Sequence, residues 1–167
     1  MASRLLTPPL ASVIADDLPV VFLAGPIQGA PDWQTEAAEK LLTRSDRVIV
    51  ANPRRGSLDE KDFVYAEQVD WESTHLRRAA QKGVLLFWLA AEIEPIPGRA
   101  YAQTTRFELA EWKIRHQYEN IQLVVGIEEG YSGAKYIRHR FGQDCPDVPI
   151  LGDLEETCQA ALQRIQT

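Results

Sequence analysis

Short runs in which every residue is apolar alternate along this chain with longer stretches whose apolar residues recur every three to four positions. That alternation predicts strands and helices in turn. Val20-Val21-Phe22-Leu23 is apolar throughout, as a strand covered on both faces must be, so a first strand is expected over 18–24, ended by Gly25-Pro26. Asp32 then caps a helix running to Arg44 that places Trp33, Ala37, Leu41 and Leu42 on one face. A second strand follows over 47–51 and stops at Asn52-Pro53. The polar stretch 54–66 reads as a surface loop with some helical turn. A helix over 68–81 turns Leu76, Ala79 and Ala80 inward and stops at Gly83.

The third strand is Val84 to Leu89. The loop after it, 90–103, is long and carries Pro95, Pro97 and Gly98; loops of this length inside a compact domain are often functional. A helix over 105–118, a strand over 121–127, a short helix over 132–141, a short strand over 148–151 and a last helix over 153–165, capped by Asp153, complete the pattern. Alternating strands and helices predict parallel βα units. The expected fold is α/β: a flavodoxin-like three-layer α/β/α sandwich around a five-stranded parallel sheet. Counting the expected strands in chain order, the sheet order is 2-1-3-4-5, with a crevice at the carboxyl ends of strands one and three. Residues 1–17, with Pro8-Pro9, read as a flexible arm, and 18–167 as a single domain.

Composition narrows the function classes. The chain has 167 residues and a net charge of −6, which argues against binding nucleic acid through a basic face. Cys145 and Cys158 have no metal-ligand spacing, and His75, His116 and His139 are scattered, so no metal site is expected. No apolar run approaches the roughly 20 residues that span a bilayer and no signal peptide is evident; a cytoplasmic location without membrane contact is the expectation.

The crevice rule selects the residues to inspect. Gly25, Pro26, Ile27 and Gln28 form the first loop; Gly25 with Gly29 lacks both the P-loop lysine and the dinucleotide spacing, and Gly25 instead suits close approach of a ligand or backbone. Asn52 and Arg54, with Arg55, form the second loop, where the arginines suit a phosphate or carboxylate or simply solvent. Trp88, Tyr101 and Trp112 can stack on a base or pack in the core. Glu108 stands three residues after Thr105, the spacing of a capping box. A carboxylate there can equally attack an electrophilic carbon and form a covalent glycosyl intermediate. Asp70, near the start of its helix, is either a first-turn acid favoured by the helix dipole or a second carboxylate that handles a proton.

Val21-Phe22-Leu23-Ala24-Gly25-Pro26-Ile27, Asn52-Pro53-Arg54-Arg55, Asp70-Trp71-Glu72, Leu86-Phe87-Trp88 and Thr105-Arg106-Phe107-Glu108-Leu109, in this order and spacing, resemble the nucleoside 2-deoxyribosyltransferase-like family. The resemblance spans about 20–127. It implies a homo-oligomer that swaps the base of a nucleoside for a free nucleobase, with retention and without metal or cofactor. It implies Glu108 as the nucleophile and Asp70 as the acid. Phe22, Gly25, Pro26, Ile27, Gln28, Asn52 and Arg54 then belong to the substrate site, as do Trp71, Trp88, Tyr101 and Thr105. Phe22 stands where the family's classical members carry a tyrosine that holds the nucleophile, and Leu89-Ala90-Ala91-Glu92 stands where they carry a second aspartate. Asp70, Glu92 or Tyr101 is then left to protonate the base. Hydrolysis of a nucleoside or nucleoside 5′-monophosphate, and a non-catalytic nucleotide-binding module, are the alternatives.

Overall fold

The computed structural model of the chain describes residues 4–9, 17–55 and 63–166. Eleven elements follow one another: β1 (Arg4–Leu6), β2 (Val20–Ala24), α1 (Trp33–Arg44), β3 (Ile49–Ala51), α2 (Tyr65–Gln81), β4 (Gly83–Leu89), α3 (Gln103–Glu119), β5 (Leu123–Ile127), α4 (Ala134–Asp144), β6 (Ile150–Leu151) and α5 (Leu154–Gln166). All strand pairs are parallel, in the order β1-β3-β2-β4-β5-β6. From β2 onward this is the expected 2-1-3-4-5 order of a flavodoxin-like α/β fold. The sheet has six strands, not five. The extra one comes from the stretch expected to be a flexible arm: Arg4–Leu6 pairs with β3, the Arg4 amide donating to the Val48 carbonyl at 3.1 Å and the Asn52 amide to the Leu6 carbonyl at 2.9 Å. The expected loop over 54–66 falls partly outside the described residues; its end, from Tyr65, already belongs to α2.

The four inner strands, β2 to β5, are buried at nearly every position because helices cover both faces. Alternate residues of β2 sort two cores. Val20, Phe22 and Ala24 pack with Trp71, Leu76, Leu109, Trp112 and Phe141 under α2, α3 and α4. Val21 and Leu23 pack with Trp33, Ala37, Leu41, Cys158 and Ala161 under α1 and α5. Asp32 caps α1, accepting from the Thr35 amide at 3.1 Å, and Asp153 accepts from the Glu156 amide at 3.0 Å ahead of α5.

The start of α3 departs from the capping-box expectation. The helix begins at Gln103, after Ala102 in a left-handed conformation (φ 54°), and no side chain caps it. Thr105 is therefore inside the first turn and Glu108 in the second, which frees the Glu108 carboxylate from a capping role.

Strand connections diverge between β2 and β4, one leading to β3 and the other to β5. In a parallel sheet, two loops leaving such neighbours in opposite directions open a crevice at their carboxyl ends.

Candidate functional site

A cavity of about 430 Å³ occupies this crevice, and it is walled by the loops after β2, β3 and β4, the first two turns of α2 and the first two turns of α3. That volume suits a small organic ligand.

The loop after β2 is fixed tightly. A Cβ on Gly25 would stand 2.2 Å from the Trp88 carbonyl oxygen and 2.6 Å from the Trp33 ring, so only glycine lets the chain turn here. The Pro26 carbonyl accepts from Trp33 Nε1 at 2.9 Å and Gln34 Nε2 at 3.2 Å. Gly29, at φ 77°, gives its carbonyl to the amides of Ile93 (2.8 Å) and Glu94 (3.2 Å), which ties the first loop to the long loop after β4. That second loop is anchored by Tyr101, whose hydroxyl donates to the Ala90 carbonyl at 2.7 Å. Burial raises the Tyr101 hydroxyl, with Tyr131 and Glu92 adding to it; a hydroxyl so held is a strut rather than a proton donor at neutral pH.

Arg54 is likewise committed to architecture. Its guanidinium reaches Gln34 Oε1 at 3.0 Å, Asp32 Oδ1 at 3.1 Å and the Pro31 carbonyl at 3.0 Å, so it braces the first loop although it also lines the cavity. Asn52 is buried and turns inward, its Oδ1 accepting from the Arg54 amide at 2.9 Å.

Glu108 and Glu72 face the cavity from α3 and α2. Burial drives the Glu108 carboxyl from its ordinary value of 4.5 to about 7, and the carboxylates of Glu72 and Glu111 push in the same direction. Among the described residues no hydrogen-bond donor holds it. Phe22, 1 % exposed, lines the same cavity and packs on Trp71 with ring centroids 6.3 Å apart, so the position expected to carry a hydroxyl contributes only apolar surface. Burial also raises Glu72, opposed by the Gln68 amide and the Arg55 guanidinium. Glu72 is positioned by a relay: Arg55 Nε donates to Gln68 Oε1 at 2.7 Å, and Gln68 Nε2 donates to Glu72 Oε1 at 2.7 Å and to the Pro53 carbonyl at 3.0 Å.

The expected residues therefore divide. Phe22, Gly25, Pro26, Ile27, Gln28, Arg54, Tyr101, Thr105 and Glu108 all line the cavity, whereas Asp70, Asn52, Trp71 and Trp88 do not. Asp70 is exposed on α2. Trp71 stacks on His75, with centroids 4.1 Å apart, and Trp88 packs under α1 and α5. From α2 it is Glu72, not Asp70, that lines the cavity. The signal was helical phase: Glu72 is one turn before Leu76 on the inward face, while Asp70 is turned away from it. Phe63, Tyr65 and Val69, just before and at the start of α2, and Ile96 and Arg99, in the loop after β4, also line the cavity; the two groups are brought together only by the fold.

Among the described residues there is no cluster of three or more His, Cys, Asp or Glu that could hold a metal ion, and no helix is long and apolar enough to cross a membrane. A family model described as "Nucleoside 2-deoxyribosyltransferase like" matches residues 19–131, the stretch that contains Glu72, Glu108 and most of the cavity wall. A search of curated proteins finds no match to the chain. Among solved structures, the crystal structure of a conserved protein from Enterococcus faecalis V583 is similar, with a TM-score of 0.53 and 10 % sequence identity, over 88 % of this chain and 99 % of that one. At that identity the likeness speaks for the fold alone.

Proposed function

The chain belongs to the nucleoside 2-deoxyribosyltransferase-like family, and from that premise we propose that it is a nucleoside (deoxy)ribosyltransferase that exchanges the base of a nucleoside through a glycosyl ester on Glu108. The carrying observation is the pair of carboxyl groups, Glu108 and Glu72, that face one cavity from two helices with both titrations raised. In the first step a Glu108 oxygen bonds to C1′ as the N-glycosidic bond breaks. The bond's electron pair stays on the base, and the protonated Glu72 carboxyl supplies the proton that neutralises it. In the second step the acceptor base attacks C1′, gives its proton to Glu72, and releases Glu108 as carboxylate. Two inversions give net retention.

The raised titrations fit those roles. Burial raises both carboxyls, and the Glu72 charge raises Glu108 further; two carboxyls that disfavour each other's ionisation can hold one proton as a pair, which leaves one ionised for attack. The apolar surface that Phe22 gives the cavity fits this, because a carboxylate that no donor among the described residues holds stays poorly solvated and nucleophilic. The reaction draws on nucleoside and free base alone, with no cofactor.

The test is intact-protein mass after incubation with a 2-fluorinated nucleoside analogue, together with base exchange assayed with and without acceptor. A pentosyl adduct on Glu108 and exchange product that needs the acceptor are expected. Equal sugar release without acceptor would make the protein a hydrolase instead, and normal exchange by a folded Glu108→Gln variant would remove Glu108 from the chemistry.

A further inference from the structure

The two oxygens of Glu72 stand in different surroundings. Oε1 accepts from Gln68 Nε2 at 2.7 Å, whereas no hydrogen bond reaches Oε2 among the described residues. Which oxygen carries the acid proton therefore depends on how the Gln68 amide is turned. The oxygen and nitrogen of an amide are alike in shape, and their partners tell them apart.

Two partners agree here. Arg55 Nε can only donate, so the Gln68 atom 2.7 Å from it is the oxygen. The Pro53 carbonyl can only accept, so the atom 3.0 Å from it is the nitrogen. With its oxygen on Arg55 and one N–H on Pro53, Gln68 has one N–H left, and that one goes to Glu72. The two residues stand four apart on α2, on one helix face. Arg55 is held in turn. Its guanidinium lies 4.8 Å from the Phe63 ring centroid, and its Nη2 is buried without a partner. A buried donor left empty calls for a reason, and keeping Nε on the Gln68 oxygen supplies one.

We infer that Gln68, turned by Arg55, is the positioning residue of the acid: it occupies Oε1 of Glu72 with an N–H and so sets the transferable proton on Oε2. A carboxyl oxygen that already accepts an N–H serves as the carbonyl, and the other bears the hydrogen. The inference rests on the transfer reading, in which Glu72 is the acid. In the first step the Oε2–H bond breaks toward the base nitrogen and its electron pair stays on Oε2. The new charge then sits on a carboxylate that Gln68 already holds at Oε1. In the second step the acceptor base returns its proton to Oε2. Gln68 and Arg55 give up no proton; the amide and the guanidinium favour the Glu72 carboxylate against the burial that opposes it. Glu108 acts on the same pair from α3, and the loop after β4 brings Glu92 and Arg99 to the same cavity.

Two variants test this. Gln68→Met keeps the length of the side chain and removes the amide; Arg55→Leu keeps the amide and frees it to turn over. The first measurement needs no turnover: carboxyl ¹³C NMR of glutamate-labelled protein across pH, with the Glu72 signal assigned by its loss in Glu72→Gln. Both variants should titrate Glu72 at higher pH than the wild type. In exchange assays both should lower kcat by roughly tenfold to a hundredfold with KM kept within about twofold, and should carry the alkaline limb of the pH–rate profile upward. A Gln68 that merely ties α2 to the loop after β3 would lower Tm and leave titration and profile in place; that result in either folded variant overturns the inference. A shifted titration in a protein that performs no exchange would sink the transfer reading and leave the Gln68 relay standing. Exchange with an unmoved titration would do the reverse.

Discussion

Replacing Glu108 with glutamine should destroy exchange and at the same time stabilise the protein, in a way that depends on pH. The Glu108 carboxyl moves from 4.5 to about 7 on folding. The folded state therefore favours the neutral form. Below about pH 4.5 both states are protonated and nothing is lost. Between 4.5 and 7 the unfolded chain ionises first, and stability falls as pH rises; above 7 the full cost is in place. At 1.36 kcal/mol per pH unit, a difference of about 2.5 units amounts to about 3 kcal/mol. Glutamine keeps the shape and has no charge to bury. The variant should exceed the wild type by about 3 kcal/mol at pH 8 and by about 1 kcal/mol at pH 5, equivalent at pH 8 to roughly 6–12 °C in Tm for a chain of this size. Urea or thermal unfolding of both proteins at the two pH values measures this, with Glu111→Gln, exposed on the same helix, as a control that should gain little. An advantage that is equal at pH 5 and pH 8, or absent at both, would refute the claim that burial holds this carboxyl high.

Exchange needs Glu108 ionised and Glu72 protonated, so its rate should pass through a maximum near pH 7 and fall on both sides; Glu72→Gln, which removes both the charge that raises Glu108 and the proton donor, should move the rising limb to lower pH, abolish the alkaline fall and slow exchange by roughly 10²–10⁴, and a profile that stays in place would separate the two carboxyls. Gly25→Ala pushes a methyl against the Trp88 carbonyl and the Trp33 ring, so stability should fall by roughly 1–3 kcal/mol with exchange lost; a variant of wild-type Tm and rate would contradict the packing described. Tyr101→Phe removes the 2.7 Å bond to the Ala90 carbonyl and should raise KM a few-fold with kcat kept, the loop being loosened by about 1 kcal/mol. A large fall in kcat at constant KM would instead make Tyr101 a proton donor.

The central strands were legible because burial on both faces writes itself as unbroken apolar runs, and the crevice followed from their order. β1 was not, since three residues show no period and Arg4–Leu6 becomes a strand only because the edge of β3 accepts it. Glu108 could be found from its place after the third expected strand, but its capping-box spacing misled: the left-handed Ala102 starts α3 early, which no residue preference at alanine announces. The Asp70-Trp71-Glu72 motif points to Asp70, whereas the helix face that lines the cavity carries Glu72, one turn before Leu76. The outer lining of the cavity lay beyond any local reading, because Tyr65 and Ile96 come to one cavity only through the packing of α2 and the loop after β4.

The two cores are chemically unequal. Phe22, Glu72 and Glu108 belong to the side of the sheet covered by α2 and α3, whereas α1 contributes only its first residues to the bracing of the first loop, and no residue of α5 lines the cavity. Mutational drift should therefore run at two speeds in one small molecule. The α1–α5 layer can absorb volume-conserving changes and be recruited for attachment or fusion, while new base specificities arise by changes at α2 and the loop after β4. A library confined to that second layer samples substrate range without spending the stability held in the first.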